Sequence, residues 1–177
     1  MVDKQKTIDK SVTVSGTGLH TGQLGQITMH SAPENHGIKF RRVDIESKPI
    51  IDADINLVVS TDRGTTLSKN GYSLYTIEHL LAAFMGLGVD NVMIDVDMEE
   101  IPIKDGSSIH FINAIKEAGI VEQKANRKYI EITEPISYII PDKNIEMLIE
   151  PAEKFSATVT IDFEAEILGK QIATLDR

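Results

Sequence analysis

Apolar and polar positions alternate with a period of two along TIDKSVTVS (7–15), and GQITMHS (25–31) repeats the pattern, so these segments are expected to be paired strands. After the turn Ala32–Gly37, IKFRRVDI (38–45) predicts a third strand. Shorter strands are expected near 50–59 and 64–68, divided by the polar stretch Ser60-Thr61-Asp62-Arg63. The period then changes. In LYTIEHLLAAFMGL (74–87), Leu74, Ile77, Leu80, Leu81, Phe84 and Leu87 share one face at helical spacing, with Asn70-Gly71 before them and Gly88 after. VDNVMIDVDM (89–98) returns to a strand pattern and leads into the loop Glu99–Gly106. Ser107 or Ser108 is placed to cap a second helix through Ala118, which Gly119 would end in a left-handed conformation.

The stretch Val121–Lys128 is polar and reads as a connection, so we take residues 1–124 as one domain and 125–177 as the beginning of another. Beyond it come strand patterns only, in YIEITEPISYII (129–140), NIEMLIEP (144–151) and FSATVTIDF (155–163). A sheet with no helix leaves its apolar face without a partner, and this unit looks unfinished. A length of 177 residues permits one ordinary domain or two small ones.

Charge and composition narrow the chemistry. Lys and Arg number 18 against 27 Asp and Glu, a net charge of −9 with both signs interspersed, which argues against nucleic acid or an anionic membrane as the main partner. An anionic ligand must therefore be met locally. With no Cys, the chain has no disulfide, thiolate nucleophile or cysteine zinc site, so a metal would need His and carboxylate ligands. No signal peptide opens the chain and no apolar run reaches the ~18 residues of a membrane span, so a soluble cytoplasmic protein is expected.

Glu78-His79 on the first helix is the most informative pair. At ~100° per residue, His79 points away from the apolar stripe and Glu78 lies at its flank. Ala82, Ala83 and Gly86 surround His79, a small uncharged face suited to close approach by either a second domain or a ligand. An imidazole and an acid so placed serve a metal site as ligand and general base, or simply fill a packed interface. A catalytic zinc takes about three protein ligands. His20 is a conceivable ligand or substrate contact, whereas His30, His36 and His110 read as strand, turn and helix-surface residues. His30 and Glu34 are separated by Pro33, which keeps them off one helical face. The segment Gly16–Gly22, with three glycines in seven residues, lacks the P-loop Gly-Lys-Ser/Thr and the dinucleotide-fold spacing.

In order, the segments Gly16-Thr17-Gly18-Leu19-His20-Thr21-Gly22, Gly64-Thr65-Thr66-Leu67, Thr76-Ile77-Glu78-His79-Leu80-Leu81-Ala82-Ala83, Gly86-Leu87-Gly88-Val89-Asp90-Asn91-Val92 and Ile101-Pro102-Ile103-Lys104-Asp105-Gly106-Ser107-Ser108 resemble the UDP-3-O-acyl-N-acetylglucosamine deacetylases, the zinc amidases of lipid A biosynthesis. The resemblance runs from about Lys6 to the last residue. It implies an α+β fold, a two-layer domain of sheet and helices repeated twice, with the active site between the repeats. It makes His79 one of three zinc ligands and Glu78 the general base acting on the metal-bound water, with His20 near the site. Lys143 and Phe155 fall in segments similar to those that contact the UDP moiety.

The same resemblance marks what is missing. The family's other zinc ligands, a His and an Asp of one helix, its catalytic His and an oxyanion-assisting Thr come from later segments, whereas ILGKQIATLDR resembles the middle of the second domain. The 177 residues alone are therefore expected to be inactive or barely active, and the remainder of the second domain is an expected partner. A Bacteroidetes-like parent would carry a hydroxyacyl dehydratase domain after the deacetylase. Two other classes stay open: a non-catalytic UDP-sugar binding module, and a half-enzyme that docks onto a separate second half.

Overall fold

The computed structural model describes residues 3–163 and 165–176. It divides into two compact units, one running through Arg127 and the other from Lys128. The first holds β1 (Lys4–Ile8), β2 (Val12–Thr17), β3 (Leu24–Ser31), β4 (Ile38–Arg42), β5 (Ile50–Asp52), β6 (Val58–Ser60), β7 (Thr66–Lys69), β8 (Tyr72–Leu74), α1 (Glu78–Leu87), β9 (Val92–Val96), α2 (Ile109–Ala118) and β10 (Ile120–Asn126). The fold is α+β, in keeping with the expectation.

Its main sheet runs β2-β3-β9-β4-β5. All neighbours are antiparallel except β4 and β9, whose parallel pairing demands a long crossover, and α1 lies within it. Side chains alternate as strands require. Val14, Ile27, Met29, Phe40, Ile51, Val92, Ile94 and Val96 are buried on one face, in one core with Leu80 and Phe84 of α1 and Phe111 and Ile115 of α2. Thr13, Thr28, Arg41 and Asp95 occupy the alternate, polar positions. On this face His30 bridges Ser11 and Asp95, and Arg41 clasps Asp95 through two nitrogens, so His30 is a strand residue as read.

Several boundaries differ from the expected ones. The segment 7–15 is two strands in two sheets, because Asp9 and Lys10 donate their backbone N–H groups to Gly119 and Ala118 and turn the chain there. Residues 121–126, read as connection, are most of β10, which pairs antiparallel with β1. Leu74 belongs to β8, and α1 begins only at Glu78, because Thr76 has a left-handed φ of 58° that no helix continues through. Gly88 ends α1 in the left-handed conformation expected. Gly119 also has positive φ, but with an extended ψ of 148°. Ser108 occupies the N-cap position of α2, as expected, yet its hydroxyl donates to the His79 carbonyl at 2.8 Å instead of capping its own helix. Ala83, assigned to the open face around His79, is fully buried. It lies in the core with Leu80 and Phe84, and α2 packs against α1.

The second unit consists of two antiparallel hairpins, β11 (Ile136–Ile140) with β12 (Ile145–Ile149) and β13 (Ser156–Asp162) with β14 (Lys170–Asp176). None of its described residues is buried. The register pairs Ile136 with Ile149 and Tyr138 with Met147 on one face, so the first hairpin carries an exposed apolar surface.

Candidate functional site

The break at Thr76 sets the site. A β-branched residue with φ of 58° is strained by ~1–3 kcal/mol, and Thr76 is also almost wholly buried. The turn aims the first residues of α1 outward. Glu78 stands in the first turn, where a carboxylate is favoured by the helix dipole, and Ile77 supplies no side-chain cap. Glu78 Oε2 accepts the Thr65 backbone N–H at 2.9 Å, and Glu78 Oε1 lies 3.7 Å from His79 Nε2. Both side chains are about one-third exposed, 37% and 30%, so each reaches solvent while its backbone is fixed.

The loop between β2 and β3 brings His20 to the same place. Its Nε2–H donates to the Arg63 carbonyl at 3.1 Å, and since a carbonyl only accepts, the neutral ring keeps Nδ1 as its acceptor. A methyl group built on Gly64 would lie 3.5 Å from Glu78 Oε1, 3.6 Å from Thr76 Oγ1 and 3.8 Å from His20 Nε2, so three side chains converge around this glycine.

Beneath them lies Glu100, fully buried although it stands in the loop expected over Glu99–Gly106. Its carboxylate accepts from the His20 and Thr21 backbone N–H groups and from the Thr21 and Thr76 hydroxyls, at 2.8–3.1 Å. Burial pushes its pKa up, but these hydrogen bonds outweigh burial and hold it below the ordinary value. Gly18 was the available signal. A Cβ there would stand 2.4 Å from Glu100 Oε2, so only glycine lets the carboxylate approach.

The structure thus brings together His20, Glu78 and His79. Lys143 and Phe155 lie in the second unit, Lys143 in the turn between β11 and β12 and Phe155 just before β13, both exposed. His36 is in a turn and His110 on α2, as read, with His110 3.3 Å from Asp105. Tested as a zinc site, the donor set is incomplete: among the described residues no three His, Asp or Glu groups stand close enough to hold a metal ion. His79 offers one imidazole. Among the described residues no helix is long and apolar enough to cross a membrane.

The chain resembles known proteins over nearly its whole length. It is 40% identical over 173 residues to the bifunctional enzyme LpxC/FabZ of Bacteroides thetaiotaomicron, covering 98% of this chain and 38% of that protein. It is 41% identical to the UDP-3-O-acyl-N-acetylglucosamine deacetylase of Methylococcus capsulatus, covering 97% and 56%. The corresponding enzyme of Saccharophagus degradans is 43% identical, covering 98% and 57%. The chain therefore spans between about a third and somewhat over half of the length of these relatives. With the family pattern matched continuously from residue 5 to residue 177, the chain belongs to the LpxC family, the UDP-3-O-acyl N-acetylglycosamine deacetylases.

Proposed function

We propose that the protein carrying this chain hydrolyses the acetamide of UDP-3-O-acyl-N-acetylglucosamine to acetate and a free amine, a step of lipid A biosynthesis. The observation that carries this reading is the placement of Glu78 beside His79 at the exposed start of α1, with His20 converging from a separate loop. The names of the relatives at about 40% identity support the substrate. We assign the reaction to the cytoplasm.

His79 would be one ligand of a zinc ion, which would supply a Lewis acid for the amide carbonyl and a more acidic water. The other ligands are assigned to the rest of the second deacetylase domain, which starts near residue 125 in this reading. Glu78 acts as general base. The Thr65 N–H fixes Oε2, and Oε1 faces the open side, where it takes a proton from the attacking water. Lys143 and Phe155 hold the UDP moiety, a cation against the diphosphate and an aromatic ring against its organic part. A fused hydroxyacyl dehydratase is supported by relatives whose names join LpxC to FabZ.

The test is amine release from UDP-3-O-acyl-N-acetylglucosamine by the full-length protein. Glu78→Ala abolishes turnover and keeps zinc, whereas His79→Ala loses zinc. Undiminished turnover in Glu78→Ala would falsify the reading. UDP-sugar binding without metal or turnover would make the chain a binding module. Activity that appears only on mixing with a separate polypeptide would make it a docking half-enzyme. The 177 residues alone hold zinc weakly and turn over poorly; stoichiometric tight zinc in that polypeptide would overturn this part.

A further inference from the structure

We propose that Glu100 is a positioning residue, whose buried carboxylate ties the loop carrying His20 to the turn that launches Glu78 and His79. The inference deepens the deacetylase reading and rests on it. One carboxylate receives five donor contacts from two separate segments: His20 N at 2.9 and 3.1 Å, Thr21 N at 2.8 Å and Thr21 Oγ1 at 2.8 Å from the loop, and Thr76 Oγ1 at 3.0 Å from the turn. The backbone on either side of Glu100 is laced to the same turn, with Tyr75 N–H donating to the Glu99 carbonyl at 2.9 Å and Ile101 N–H to the Tyr75 carbonyl at 3.1 Å. Glu100 therefore stands at the crossing point of the two segments that supply the site.

A carboxylate is required there. Both oxygens accept from the His20 N–H, and Oε2 from the Thr21 N–H as well, so whichever way the glutamine of the same shape is turned its NH2 group meets a backbone N–H. The missing Cβ at Gly18 opens the space that the carboxylate fills, since one built there would stand 2.4 Å from Glu100 Oε2. The strained φ of 58° at Thr76 needs a local restraint, and its hydroxyl bond to Glu100 supplies one two residues before the proposed base. Released, the turn relaxes and moves Glu78 with it. A displacement near 1 Å is enough to cost about 100-fold in rate.

The test compares Glu100→Gln, Thr76→Val and Thr76→Ser in the full-length protein. Thr76→Val cuts only the arm toward α1, so it stays informative if Glu100→Gln fails to fold. Thr76→Ser restores the hydroxyl. The expected result is a kcat lowered roughly 10- to 100-fold with KM within about twofold for the first two variants, and near-normal kcat for Thr76→Ser. The amide resonances of Thr65, Glu78 and His79 should shift in Glu100→Gln and Thr76→Val although neither residue contacts substrate. An unchanged kcat in folded Thr76→Val, or amide shifts confined to residues 18–22, would overturn the proposal. No turnover in the unsubstituted protein would defeat the deacetylase reading instead, and the amide shifts would still decide whether Glu100 ties the two segments.

Discussion

The Thr65 backbone N–H donates to Glu78 Oε2 at 2.9 Å, so the loop after Arg63 holds the carboxylate in place while its other oxygen stays open toward His79. This bond makes a chemical substitution separable from a structural one. Gln in place of Glu78 can still accept the Thr65 N–H through its amide oxygen, but it takes no proton from water. Glu78→Gln is expected to lower turnover by about 100- to 10,000-fold, the range of a lost general base, while the unfolding free energy moves by less than about 1 kcal/mol. Paired turnover assays and denaturant curves check it, and a large loss of stability would mean that the carboxylate charge holds the loop.

Asp52 gives a pH dependence with a defined sign. It accepts from Lys69 of β7 at 2.5 Å and pairs with Lys39 of β4 at 2.9 Å, joining the three-stranded β6-β7-β8 sheet to the edge of the main one. The Lys69 hydrogen bond, followed by that of Lys39, lowers its pKa from 3.8 to about 2. A depressed carboxylate stabilises the fold above the unfolded pKa near 4 and loses that contribution as pH falls through about 2. The three side chains are 31–36% exposed, so the contribution at neutral pH is about 1 kcal/mol, less than the full shift implies. Asp52→Asn should therefore unfold more easily at pH 7, and its deficit should close between pH 4 and 2. A deficit constant over that range would assign the effect to packing.

The helix and the main strands were legible because period and burial coincide there, as Leu80 and Phe84 or Ile27 and Met29 show. The start of α1 was not legible. Leu74 and Ile77 lie at helical spacing, but spacing carries no record of the left-handed φ at Thr76 that separates them. Strand β10 was missed because it is polar and pairs with β1, more than a hundred residues earlier, and no local pattern encodes such a partner. Glu78 and His79 drew attention as an unusual pair on a small-residue face. Glu100 drew none, since an acid between Glu99 and Ile101 looks like surface until Gly18 and Thr21 are seen against it.

The glycines of the loop should separate by what a methyl group meets. Gly18→Ala places Cβ 2.4 Å from Glu100 Oε2 and 2.5 Å from Thr21 Oγ1, so the loop must move or the carboxylate must leave it. Gly22→Ala meets nothing within 4 Å and costs only its φ of 66°, ~1–2 kcal/mol. Thermal unfolding should rank Gly18→Ala as the more damaging, and only Gly18→Ala should change the environment of His20, read from its ring proton resonances. Equal losses would show that space around Glu100 is not limiting.

Neighbouring alanines on α1 offer the sharpest test of which way the helix faces. Ala83 is fully buried beside Leu80 and Phe84, whereas Ala82 is exposed one residue earlier. On an ideal helix the two lie ~100° apart, so enlarging each to leucine probes different surroundings with the same chemistry. Ala83→Leu pushes a side chain into a filled core and should cost about 1–3 kcal/mol, because packed interiors absorb added methylenes only by strain. Ala82→Leu should change stability by less than about 0.5 kcal/mol, since leucine is nearly as good a helix former as alanine and the site is open. In the full-length protein, Ala82→Leu carries a second expectation. If the face around His79 receives another body, as its small side chains suggest, leucine there should lower turnover while leaving unfolding unchanged. Unfolding curves and turnover measured on both variants read these effects separately, and a stable, fully active Ala82→Leu would leave His79 on a face that nothing approaches closely.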